Sequence, residues 1–216
     1  MPGLEVLLQY VSRAIVLLLA LPVHECAHGW VAYKLGDPTA KNEGRLTLNP
    51  FKHLDLFGSL MILLVGIGYA KPVPINPYYF KNRKYGMALT ALAGPMSNLI
   101  MAYLAMIVMK VIWLLNSVIL WPLFLVFQYI VLINISLAVF NLLPIPPLDG
   151  SRIATLFLKE ETYFKIMRYE RYIMFGMLII LYLGLLDGPL WFLQKAGFYL
   201  LDILSGFLGH GFWTLG

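Results

Sequence analysis

Long, nearly uninterrupted runs of apolar residues recur along this chain. Each is close to the roughly twenty residues that a helix needs to cross about 30 Å of hydrocarbon. Each also ends at a polar or Pro/Gly-rich break. In hydrocarbon every backbone N–H and C=O must find its partner within the segment, so such runs predict helices. Only 12% of the 216 residues are charged, against 60% hydrophobic, whereas a soluble domain carries about a quarter charged. The expected fold is an all-α polytopic membrane protein, with residues 1–216 forming a single membrane-embedded domain.

The net charge of +5 does not point to nucleic acid. Lys and Arg fall in short clusters between the apolar runs, where basic residues set topology and meet anionic lipid. Cys26 is the single cysteine, which rules out an intrachain disulfide and a thiolate metal cluster. The first residues, 1–21, lack a basic n-region and an A-x-A cleavage pattern, so they read as a mature transmembrane helix rather than a signal peptide.

That first helix is expected over about 4–35, ending at Gly36-Asp37-Pro38, with Arg13 snorkelling toward the far interface. A short apolar run, 56–70, is broken by Gly58, Gly66 and Gly68 and flanked by basic stretches containing Lys41, Arg45 and Lys52 on one side and Lys71, Lys81, Arg83 and Lys84 on the other. A crossing there would place the two basic stretches on opposite sides, against the tendency of basic loops to stay cytoplasmic. A re-entrant segment resolves the conflict, the alternative being a short transmembrane helix. Crossings are expected over 86–115 and 122–141. The loop after Asn141, with Pro144, Pro146, Pro147, Asp149 and Gly150, opens into a stretch holding Arg152, Lys159, Lys165, Arg168 and Arg171, cytoplasmic by charge. Two final runs, 172–186 and 190–208, meet at Asp187-Gly188-Pro189 as a closing hairpin, for a total of about five to six membrane segments. No polar stretch is long enough to bury its own core as an accessory domain, so regulation is expected from a membrane partner.

His24-Glu25-Cys26-Ala27-His28 matches H-E-x-x-H. Spacing of i and i+4 puts both imidazoles on one helix face, with Glu25 beside them near a metal-bound water. Ionisable residues inside a membrane helix are costly, and three together point to function rather than to packing. A catalytic zinc site takes a third protein ligand and leaves a position for water. His53 and His210 are candidates, but Asp149 stands near the end of an apolar run in a rigid turn and, by charge topology, at the same membrane face. His28 lies six residues before Lys34, about 9 Å along a helix, and Asp149 three before Arg152, so both are expected shallowly beneath the cytoplasmic surface. Cys26 projects away from the imidazoles and reads as helix packing.

These motifs have company. HECAH, GRLTLNP at 44–50, GYAKPVPINP at 68–77, ALAGPMSN at 91–98 and NLLPIPPLDG at 141–150 occur in the order seen in the site-2 protease family of intramembrane metalloproteases. The chain closely resembles the compact bacterial and archaeal branch that lacks PDZ and CBS domains. The resemblance implies one Zn²⁺ held by His24, His28 and Asp149, with Glu25 as general base and acid. It places Asn98 and Asn141 near the site, where amides would orient substrate backbone or stabilise an oxyanion, the alternative being helix–helix hydrogen bonds. It implies regulated intramembrane proteolysis of single-pass membrane proteins in a prokaryotic plasma membrane. The stretch around 60–70 would clamp an unwound substrate by strand addition.

Two other functions compete: a non-catalytic adaptor with a structural metal, and an ion transporter using His24, His28 and Asp149 as a pathway site. Both leave Glu25 unexplained. A transporter would also spread its ligands over several crossings or paired halves, rather than gather them at one shallow locus.

Overall fold

A proline shapes the first helix. The computed structural model describes residues 2–64, 68–158 and 160–209, and it opens with α1, Pro2–Ile15. A π-helical turn, Val16–Ala20, then leads into α2, Leu21–Lys34, with Pro22 in its first turn. Proline has no N–H to close an i to i−4 bond, and its ring crowds the carbonyl four residues back. The helix widens just before it: the Leu21 N–H reaches back to Val16 O. Such single-turn bulges let a helix continue past a break in its ladder. Beyond Lys34 the chain leaves the helix through Gly36, whose φ of +108° is open to glycine and costly for other residues.

A short helix α3, Thr39–Asn42, and a turn at Pro50–Lys52 precede α4, Leu56–Leu64. Nine residues rise only about 14 Å, half of what a crossing requires. Leu54 and Ala70 form an antiparallel bridge, so the chain comes back to the point from which α4 departed. The strand addition expected over 60–70 is corrected for its first half: residues 60–64 are helical, and the one bridge in this stretch among the described residues is at Ala70. Arg13 does not snorkel outward. Its Nη1 donates to the carbonyls of Leu63 and Leu64, capping C-terminal groups of α4 that have no partner within the helix.

Helix α5, Arg83–Leu114, starts where the Asn82 side chain accepts from Tyr85 N–H. A tight turn with Asn116 at φ 44° reverses the chain into α6, Trp121–Asn141. The two pack along their lengths through Ala102, Ala105, Met106 and Met109 against Phe124, Val131 and Ile135. Helix α2 also packs against α5. Then follow α7, Asp149–Ala154, α8, Glu160–Arg168, α9, Glu170–Tyr182, and α10, Asp187–Leu204.

Among the described residues the fold is all helical, with no strand beyond the isolated bridge. Three helices are long and apolar enough to cross a membrane: Tyr10–Lys34, Arg83–Leu114 and Val118–Asn141. A fourth appears if α9 and α10 are taken together. That pair is bent by 87° rather than folded back as the expected hairpin, because α10 packs along α6 instead of α9. Lys159 and His210 lie outside the described residues.

Candidate metal centre

Helix α2 turns His24 and His28 toward α5, and both are buried. Their rings meet edge to face, 4.6 Å between centroids, with the two Nε2 atoms 3.0 Å apart. Asp149 opens α7, which packs on α5. Its Oδ2 stands 3.2 Å from His24 Nε2 and 3.3 Å from His28 Nε2. Three proline residues and the close approach of Gly150 to the Leu142 and Leu143 carbonyls hold this turn against the end of α6. Among the described residues, these three are the group whose ligand atoms converge.

The far side of each ring explains the arrangement. His28 Nδ1 lies 2.7 Å from Thr90 O, a carbonyl that can only accept, so Nδ1 carries the proton. His24 Nδ1 lies 2.5 Å from Asn98 Oδ1. Asn98 Nδ2 donates to Asn134 Oδ1 at 2.8 Å, and Asn134 Nδ2 donates to Ile130 O at 2.9 Å. The last acceptor is a backbone carbonyl, so the direction of the whole relay is set and His24 Nδ1 is again the donor. Both Nε2 atoms therefore present lone pairs, toward one another and toward a carboxylate oxygen. Three acceptors so close together call for a cation at their centre. Tetrahedral zinc, with bonds of about 2.0–2.2 Å, separates its ligand atoms by about 3.3–3.6 Å; the observed 3.0–3.3 Å fits that shape with slight expansion. Gly94 of α5 completes the cradle, because a Cβ there would collide with both Nε2 atoms.

Glu25 occupies the neighbouring face of α2, where Oε2 accepts the Val73 N–H at 2.9 Å. It borders a cavity of about 730 Å³, together with His24, His28, Asp149, residues of the stretch 68–75 and the apolar flank of α6. Asn141 lines this cavity while its Nδ2 donates to Leu137 O in its own helix at 2.9 Å. Asn98 does not line it. It is fully buried behind His24, with Oδ1 on His24 Nδ1 and Nδ2 on Asn134. His53 is also fully buried and donates from Nε2 to Thr47 O at 2.7 Å, away from the metal cluster. Cys26, half-buried, contributes no ligand atom to it.

Asn134 and the Val73 amide escape the sequence reading. Asn134 carries a signal that was available, a polar residue within an otherwise apolar run. A backbone N–H carries none.

Comparison with known proteins agrees with this chemistry. The sequence profile of peptidase family M50 matches residues 109–184, a stretch that contains Asn134, Asn141 and Asp149. The chain is similar to a protein of Bacillus subtilis (strain 168) named "Putative zinc metalloprotease YwhC", with 39% identity over 187 residues, 85% of either chain. It is 31% identical over 151 residues to Rip2 of Mycolicibacterium smegmatis, covering 67% of this chain and 56% of that one. It is 33% identical over 132 residues to MJ0611 of Methanocaldococcus jannaschii, covering 60% and 62%. Both of these carry the same zinc metalloprotease designation. No solved structure matches the chain significantly.

Proposed function

Because the chain belongs to peptidase family M50, we propose that it is a zinc metalloendopeptidase that hydrolyses a peptide bond in or near a transmembrane segment of single-pass membrane proteins. The observation that carries this reading is the convergence of two imidazole lone pairs and one carboxylate beside Glu25, in a cavity walled by apolar helices.

His24, His28 and Asp149 would hold one zinc ion, which when bound lowers the pKa of a water molecule and polarises the scissile carbonyl. Glu25 takes the proton from the attacking water and returns it to the leaving nitrogen. Val73 N–H keeps one Glu25 oxygen in place, leaving the other for that proton traffic. Asn98 and Asn134 hold the His24 ring and its tautomer, the usual task of groups behind a metal ligand. Asn141, which lines the cavity, would meet substrate backbone.

A substrate helix hides its carbonyls in i to i−4 bonds and must unwind before it can be cut. The non-helical stretch 68–75 along the cavity would suit such a strand. We read α4 as the tip of a re-entrant segment, supported by its length and by the Leu54–Ala70 bridge. With the three long helices and with α9 and α10, this gives the five to six membrane segments expected from sequence. Residues 1–216 act in this reading as one protease domain in a prokaryotic plasma membrane, its site near the cytoplasmic face. Its partners are lipid, single-pass substrates and a regulatory membrane protein, not nucleic acid.

The test is zinc quantification together with cleavage of single-pass reporters by wild type, Glu25→Gln and Asp149→Ala. Equal cleavage by all three overturns the proposal.

A further inference from the structure

Two buried basic residues, Arg45 and His53, take no part in the metal centre, yet both hold the backbone of Lys71, Arg45 with its side chain and His53 with its main-chain carbonyl. Arg45 Nη2 donates to Lys71 O at 2.7 Å. The Lys71 N–H donates to His53 O at 2.8 Å. His53 is itself anchored by its Nε2 on Thr47 O, and its neighbour Leu54 bridges Ala70. At the far end of the same stretch, Asn76 N–H donates to Asp37 Oδ2 at 2.7 Å.

Residues 70–76 are thus held at both ends, and between the ends lies Pro72-Val73-Pro74. Proline has no N–H and its φ is restricted. Val73 is therefore the single amide donor of the three, on backbone with little freedom to turn, and it donates to Glu25 Oε2. Helix α2 accommodates the contact. Gly29 stands one turn after Glu25 on the same face, and a Cβ there would lie 3.2 Å from Val73 Cγ1 and 2.9 Å from Leu46 Cδ2. Burying a guanidinium is costly. Here Arg45 directs Nη2 to a single carbonyl while its Nε has no hydrogen-bond partner, which packing alone does not account for.

We propose that Arg45 and His53 are positioning residues for Glu25. Arg45 holds the Lys71 carbonyl directly, and the His53 ring, fixed on Thr47 O, steadies the main-chain carbonyl that receives the Lys71 N–H; together they set the Val73 N–H against the Glu25 carboxylate and so fix the angle at which its free oxygen meets the water. The inference rests on the protease reading above.

The experiment uses the full chain in detergent, loaded with zinc, and a single-pass reporter with an Asn-Pro pair inside its transmembrane segment. The variants are Arg45→Met, His53→Ala and His53→Gln. Misplacing a catalytic group by a fraction of an ångström slows turnover without abolishing binding, so Arg45→Met and His53→Ala should lower kcat about tenfold or more. Their KM and zinc content should stay within about twofold of wild type, a split that reports on the transition state rather than on binding. His53→Gln, which places an amide donor near the position of Nε2, should recover most of the lost kcat.

Unchanged kcat in both of the first two variants overturns the inference, as does activity lost in proportion to zinc or the absence of rescue by Gln. Should Arg45→Met fail to fold, the Ala and Gln pair at His53 decides alone. A wild type that binds no zinc and cleaves nothing defeats the protease reading and this inference with it. A wild type that cleaves while the variants match it defeats only this one.

Discussion

Asn134 accepts a 2.8 Å hydrogen bond from Asn98, and through that bond a residue not hydrogen-bonded to any of the proposed metal ligands dictates which nitrogen His24 turns toward the cluster. Asn134 Nδ2 is committed to Ile130 O, so only its Oδ1 faces Asn98. Asn98 must then offer its own Oδ1 to His24 Nδ1. Asn134→Leu removes the acceptor, leaves Asn98 Nδ2 buried without a partner, and frees the amide to flip. Groups behind a metal ligand are worth about 10–100-fold in metal affinity. Zinc affinity, measured by competition with a chromogenic chelator, should fall by that order. An affinity within about twofold of wild type would show that the relay does not orient His24.

Gly94 supplies a sharper separation of stability from binding. Alanine is the better helix former by about 1 kcal/mol, so Gly94→Ala should not weaken α5 by propensity. Its methyl, however, would enter the space between the two Nε2 atoms. The expected outcome is loss of zinc with the unfolding midpoint of the zinc-free protein held or raised. Gly176→Ala in α9, where nothing lies within 4 Å of the added carbon, is the control and should keep zinc. Full zinc occupancy in Gly94→Ala would mean that α5 does not border the centre this closely.

The two neighbouring faces of α2 can be told apart in the same way. Gly29→Val would displace Val73 and Leu46 and so disturb Glu25, while His24 and His28 face α5. We expect zinc content near wild type with cleavage of a single-pass reporter reduced about tenfold or more, as for other misplaced catalytic groups. Loss of zinc and activity together would show that the two faces are not independent.

What could be read in advance divides along physical lines. The three ligands and Glu25 announce themselves because charge within apolar sequence is costly and because i, i+4 spacing shows which residues share a face. Asn134 lies in the same apolar run as Gln128 and Ser136, and sequence alone does not say which of them turns inward; burial singles out Asn134. The Val73 amide has no side-chain signature beyond its flanking prolines. Arg13 reads as a snorkelling cation until α4 is known to end within its reach. The bend between α9 and α10 follows from where α10 finds its packing partner, a long-range choice that the short link at Gly184, φ +69°, does not dictate.

That packing choice has a polar anchor. Lys110 of α5 is fully buried, with Nζ 2.7 Å from Asp202 Oδ1 and within 3.2 Å of the carbonyls of Asp202, Ser205 and Gly209. It pairs with a buried carboxylate and adds a charged donor to carbonyls at and just beyond the end of α10. Removing one partner of a buried ion pair costs about 3–5 kcal/mol, because the other charge is left uncompensated. Lys110→Met should therefore lower the unfolding midpoint in detergent markedly, and Lys110→Met with Asp202→Leu should recover part of the loss by removing the stranded charge. Lys110 stands twelve residues beyond Asn98, about 18 Å along the helix, so zinc content below the new midpoint should stay at the wild-type value. A single variant as stable as wild type, or a double variant no better than the single, would show that α10 is held by its apolar contacts with α6 alone.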